Sequence, residues 1–223
     1  MDSELLTSGP VAIRRISVSA MDNNVYLLTS RRTGIQVLID AADDAPAIAA
    51  LLADGAKDLY PAATAAGVVP GLTLVVTTHS HWDHVRALAD VVAATGARTA
   101  AGTADAAAID VPTDVPLDDG DIGTFDDFEL EAIELRGHTP GSVALLYRAP
   151  GGPAHLFTGD SLFPGGVGNT EKDPKRFTQL YNDVVERVFG ELPDNTIVHP
   201  GHGAGTTLGA ERPHLAEWRA RGW

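Results

Sequence analysis

Short runs rich in β-branched residues, Val11 to Val18 and Val25 to Thr29, open the chain and read as two strands. Between them, Ser19-Ala20-Met21-Asp22-Asn23-Asn24 is polar enough to read as a turn. Ile35 to Ile39 is a third strand ending in Asp40, so the opening is a β-meander. The period then lengthens. Asp44 is an N-cap candidate ahead of Pro46, and apolar residues from Ile48 to Leu52 fall at helical spacing, which predicts a helix ending near Gly55. The alanine-rich piece up to Gly71, with Tyr60, Pro61 and Pro70, reads as a further helical turn or two followed by a loop. Leu72 to Thr78 is a strand, Val85 to Thr95 a helix stopped by Gly96, and Arg98 to Ala101 a short strand.

The second half is mostly strand. Leu117, Ile122, Phe125, Phe128, Leu130, Ala132, Ile133 and Leu135 read as hairpin strands around the turns Asp118-Asp119-Gly120-Asp121 and Asp126-Asp127. Turn chemistry alone explains that acidic cluster. Ser142 to Tyr147 and His155 to Thr158 are further strands, each attached to a glycine-containing loop. Phe177 to Phe189 is an amphipathic helix, Ile197-Val198 a short strand, and Glu211 to Trp223 a closing helix with Leu215 and Trp218 on its buried face. No repeat, low-complexity tract or linker interrupts the chain. The expectation is one domain over residues 1–223, with two sheets back to back and helices outside.

Composition narrows the chemistry. The 223 residues include no cysteine, so any metal must be held by nitrogen and oxygen. A formal net charge of -14 opposes a phosphate backbone, so nucleic acid is not an expected partner. Met1 to Leu6 lacks the basic and apolar regions of a signal peptide, and no apolar run approaches the length of a membrane span. A cytoplasmic protein acting on a small-molecule substrate, away from membranes, is expected.

One stretch concentrates metal-binding side chains. Thr78-His79-Ser80-His81-Trp82-Asp83-His84 places three imidazoles and a carboxylate within six residues, just past a strand. Packing gains nothing from imidazoles so close together, whereas divalent zinc, iron or manganese takes imidazole nitrogen and carboxylate oxygen readily.

With this motif stand Gly137-His138-Thr139-Pro140-Gly141-Ser142, Thr158-Gly159-Asp160 and Pro200-Gly201-His202-Gly203. Taken in order over nearly the whole chain, the four resemble the metallo-β-lactamase fold superfamily and, within it, the glyoxalase II-like hydrolases. The resemblance implies an α/β fold, a four-layer αββα sandwich, with a dinuclear site at one edge. His79, His81 and His138 would hold one metal, Asp83, His84 and His202 the other, and Asp160 would bridge them. Two divalent ions follow, zinc by preference from nitrogen-rich ligation, with iron or manganese as alternatives. A metal-bridging hydroxide would attack a thioester, lactone or other small carboxylic ester, with Asp83 as the catalytic residue that orients it and comes nearest to a general base.

Two rival readings share these motifs. A mononuclear iron persulfide dioxygenase would use only His79, His138 and Asp160, and a non-catalytic metal-binding member would keep the fold alone. Lactam hydrolysis is disfavoured, since the zinc β-lactamases with strong activity usually carry cysteine where Asp160 stands. Departures touch the substrate. Arg86 and Ala87 replace two glycines often found after the fourth motif residue, Asn169 replaces the arginine of a Gly-x-Gly-Arg-Thr sequence, and the C-terminal helices that serve glutathione in glyoxalase II are not expected within the residues after His202. The last two remove cations that a glutathione-type anion would need. His155, His199 and His214 match no ligand position and are expected to be structural.

Overall fold

The computed structural model describes residues 3–222; Met1, Asp2 and Trp223, the last residue of the expected closing helix, lie outside them. A strand that the hydrophobic pattern did not announce, β1 (Glu4–Ser8), pairs with β2 (Val11–Val18). After it come β3 (Asn23–Ser30), β4 (Ile35–Ile39), β5 (Gly71–Thr77), β6 (Arg98–Gly102) and β7 (Val115–Leu117). These lie side by side in chain order, antiparallel up to β4 and parallel from β4 to β7. Parallel neighbours need crossovers: α1 (Ala45–Ala56) and α2 (Pro61–Ala65) connect β4 to β5, α3 (Leu88–Thr95) connects β5 to β6, and a loop with a 3-10 turn at Ala106–Ala108 connects β6 to β7. Asp44 caps α1 by accepting the Ala47 N–H, and Gly96 ends α3 in the left-handed region. That helix begins at Leu88 rather than Val85, because Trp82–His84 form a separate 3-10 turn.

The second sheet contains β8 (Ile122–Phe125), β9 (Phe128–Glu134), β10 (Val143–Arg148) and β11 (Ala154–Gly159). A small ribbon, β12 (Leu162–Phe163) with β13 (Gly166–Val167), leads on to β14 (Ile197–Pro200) and β15 (Thr206–Thr207), which return to the sheet beside β11. The expected hairpin over Val115 to Arg136 is corrected in part. β8 and β9 pair around Asp126-Asp127, but β7 joins β6 in the first sheet, so Asp118 to Asp121 is an exposed crossover between sheets. Three apolar-to-polar alternations cannot specify which sheet edge a strand joins. The helix expected from Phe177 starts at Pro174 as α4 (Pro174–Asp183) and widens into a π-helical stretch, Val184–Phe189. The closing helix is divided into α5 (Leu208–Glu211), a 3-10 turn and α6 (Leu215–Arg221).

Alternating side chains account for the layers. Along β2 and β3, Ile16, Val18, Val25 and Leu27 pack with Ile48, Leu51, Leu88 and Val91 of α1 and α3. Val11, Ile13, Tyr26 and Leu28 point the other way and meet Phe128, Leu145 and Phe157 of the second sheet. On that sheet's outer face, Leu135, Leu146, Leu156 and Val198 pack against Leu180, Val184, Val188 and Trp218. Three buried apolar clusters therefore separate four layers, helix, sheet, sheet and helix, and the fold is an αββα sandwich.

Candidate metal centre

The loops that carry the motifs leave the two sheets at one edge. His79, His81, Asp83 and His84 follow β5, His138 lies between β9 and β10, Asp160 follows β11, and His202 follows β14. Close approach there demands glycine. A Cβ on Gly201 would collide with Asp160 Oδ1 and stand 2.8 Å from His84 Cε1.

All seven sequence-predicted residues come together. The ligand-type atoms of His79, His81 and His138 lie within 4.8 Å of one another, and so do those of Asp83, His84 and His202. A third group, His79, His84 and Asp160, joins the two. His79 Nε2 is 3.1 Å from His81 Nδ1, and His84 Nε2 is 3.2 Å from His202 Nε2. Asp160 reaches both sides: Oδ1 lies 3.5 Å from His84 Nε2, while Oδ2 lies 3.7 Å from His138 Nε2 and 3.4 Å from His202 Nε2.

Charge is distributed unevenly over this group. Burial pushes His79 well below the ordinary imidazole value, and the neighbouring imidazoles push the same way. Burial also lowers His138, outweighing Asp160. At the other end burial opposes the charged form of His84, but Asp40, Asp160 and Asp83 outweigh it and the net direction is up. Bonded to Asp160, His202 is raised to about 9. Burial acts to raise Asp160, yet His202, His84 and His138 hold it below the usual carboxylate range. His79 and His138 are therefore biased toward the neutral imidazole, the form that ligates metal, while His84 and His202 sit in a field that favours positive charge.

Two atoms test whether divalent metal fits. His138 Nε2 and Asp160 Oδ1 are buried with no hydrogen-bond partner, a costly arrangement for protein alone. Both belong to the seven-residue group and both offer a lone pair: His138 Nε2 because its Nδ1 meets the Asn169 carbonyl, and Asp160 Oδ1 as a carboxylate oxygen. Divalent cations would satisfy them, and a thiolate-free nitrogen and oxygen set suits zinc, iron or manganese.

Several supporting residues escaped the sequence reading. Asp40 Oδ2 lies 2.9 Å from His84 Nδ1 and accepts the Thr78 hydroxyl at 2.8 Å. Its place directly after a strand is the one sequence signal that could have marked it; the structure holds it at φ 59°. Asn23 and Asn24, expected in a turn, open β3 and are buried: Asn23 Nδ2 donates to Asp83 Oδ2 at 3.0 Å, and Asn24 Nδ2 donates to the carbonyls of Pro200 and Gly203, both at 2.9 Å. Buried Asp105 ties the two histidine loops together by accepting from Ser80 N, Thr139 Oγ1 and Gly141 N. Arg86 stacks over the exposed ring of Trp82, 4.6 Å from its centroid. His155 and His199 sit apart in the core and His214 on the surface, as expected for structural residues.

This arrangement of sandwich and edge cluster has known relatives. The family model of the metallo-beta-lactamase superfamily matches residues 19–202, and the chain belongs to that family. A hydroxyacylglutathione hydrolase from Fuscovulum blasticum is 32% identical over 194 residues, covering 86% of this chain and 67% of the relative. Other relatives of the same name are covered to a smaller extent, so the chain spans about 61–64% of their length. Among solved structures, TTHA1623 in a di-iron-bound form is 30% identical, with a TM-score of 0.65 and coverage of 89% of this chain and 96% of that one. ETHE1 from Myxococcus xanthus is 25% identical, with a TM-score of 0.75 and coverage of 93% and 84%. Among the described residues no helix is long and apolar enough to cross a membrane.

Proposed function

We propose that the protein is a hydrolase that holds two divalent ions, zinc by preference, and cleaves a thioester, lactone or other small carboxylic ester. What carries this reading is the meeting of two ligand-type triads around Asp160, with His138 Nε2 and Asp160 Oδ1 buried and unpartnered. The relatives named hydroxyacylglutathione hydrolase support an acyl-transfer reaction to water, and the di-iron form of TTHA1623 supports a two-metal site while keeping iron beside zinc as occupant.

His79, His81 and His138 would hold one ion, Asp83, His84 and His202 the other, and Asp160 both. Bound there, divalent ions supply Lewis-acid polarisation of an acyl carbonyl and a downward pull on the pKa of water. Asp83 orients the attacking water and takes its proton, and Asn23 keeps that carboxylate in place. Three imidazoles are aimed by what their other nitrogen touches. Nδ1 of His84 is held by Asp40 at 2.9 Å, that of His138 by the Asn169 carbonyl at 2.7 Å, and that of His202 by the Met21 carbonyl at 2.8 Å, which turns each Nε2 inward.

Elemental analysis is expected to find two ions per chain, and metal-replete protein is expected to hydrolyse members of a thioester and ester panel. A single ion per chain would favour the mononuclear iron chemistry instead. Inertness across the whole panel would sink the hydrolase.

A further inference from the structure

An open cleft of about 620 Å³ runs from His81 and His138 to the first turns of α4, where Arg136, Lys175, Arg176 and Gln179 line it. No aspartate or glutamate does. In a chain with 30 acidic and 16 basic residues that is against the composition, and two other surface clefts, over the second sheet, carry four acidic residues each.

The three cations are not equivalent. Arg136 donates to both oxygens of Asp183 at 3.0 Å. Arg176 donates to the carbonyls of Gly137 and His138 and to Glu171, so its guanidinium is committed to holding α4 against the His138 loop. Lys175 is exposed, and among the described residues its ammonium makes no hydrogen bond or ion pair, with the Asp173 carboxylate that caps α4 as its electrostatic neighbour. A compact point charge on a flexible stem suits a single carboxylate arriving from solvent.

Resting on the hydrolase reading above, we propose that the substrate carries one carboxylate remote from its scissile carbonyl, and that Lys175 is the specificity-determining residue that binds it. One unengaged ammonium matches a singly charged carboxylate better than a phosphate dianion, which would draw on a second free cation.

The test uses matched pairs on metal-replete protein. S-acetyl-3-mercaptopropionate against S-acetyl-3-mercaptopropionamide places the charge on the thiol half; the succinyl against the butyryl thioester of N-acetylcysteamine places it on the acyl half. In one of the two pairs the anionic member is expected to be favoured about tenfold in kcat/KM at low ionic strength, the scale of a charge-assisted hydrogen bond. That ratio is expected to fall to near unity in Lys175→Ala, to survive in Lys175→Arg, and to shrink with added salt. A ratio near unity in both pairs for the unmodified protein, or one that Lys175→Ala leaves intact, overturns the proposal. A separate readout is amide chemical-shift titration with the uncleavable thioether 3-(methylthio)propionate and its amide. Shifts near Lys175 with the acid alone, lost in Lys175→Ala, uphold the carboxylate site even if no thioester is cleaved, which would sink only the hydrolase reading; equal shifts with acid and amide overturn the carboxylate site.

Discussion

One group of histidines lies in the core of this protein and another at the edge of the sandwich, and they are built on opposite principles. His155 Nδ1 lies 2.9 Å from His199 Nε2, the rings stack at an interplanar angle of 5°, and His199 stacks again on Phe157. That pair closes on itself within the sandwich. At the edge, imidazoles also touch, but they mix with Asp83 and Asp160, and His138 Nε2 and Asp160 Oδ1 are left unpartnered. A buried histidine is ordinary when its nitrogens find protons or acceptors; it becomes a candidate ligand when its lone pair meets only other lone pairs.

The strongest way to break this contrast is substitution at the shared carboxylate. Asp160→Ala is expected to lose bound metal and about a thousandfold or more in kcat/KM, since Lewis-acid stabilisation is worth several kcal/mol; His155→Phe is expected to keep its metal content. Elemental analysis beside steady-state rates separates the two. Chelation comes next. Each ion held at about a hundredfold its Kd contributes roughly 3 kcal/mol, so stripping two should lower Tm by about 10–20 °C, read by calorimetry with and without chelator. No shift would mean that the edge cluster is as self-sufficient as the core pair.

Asp40→Asn probes how the His84 ring is aimed, and about a 10–100-fold loss of metal affinity is expected in competition titrations. The core pair is probed with acid. Burial, reinforced by His155 and Arg15, pushes His199 down to about 3 from 6.5. The unfolded chain therefore takes up the proton first, and this contribution to stability is complete above about pH 6.5 and is lost as pH falls toward 3. Urea midpoints between pH 7 and pH 4 should show a shallower decline for His199→Phe than for the unmodified protein. The smallest effect is expected at exposed His214: His214→Ala should change stability by less than about 0.5 kcal/mol.

Much of this organisation is legible locally. The N-cap at Asp44, the stop at Gly96 and the strand before His79 follow from neighbouring residues, and the structure contains each. Misreadings came where a partner distant in sequence decides. Asn23 and Asn24 look like turn residues until the loop after β5 supplies the Asp83 carboxylate for Asn23, and the His202 loop, on the other sheet, supplies carbonyls for Asn24. β7 looks like half of a hairpin until β6 takes it. Asp40 and Asp105 are merely two of many aspartates until burial makes them the posts to which the histidine loops are tied.

By itself the sequence determined which side chains are candidates for a metal, that sulfur is not among them, and the succession of strands and helices, because ligand type and hydrophobic period are properties of short segments. Only the tertiary structure decided that residues from 79 to 202 meet at one edge of the sandwich, that two of their atoms are buried without partners, and that Lys175 is the cation of the adjoining cleft with no hydrogen bond or ion pair among the described residues. Those facts depend on distances and burial between segments far apart in the chain, which exist only once the two sheets have packed.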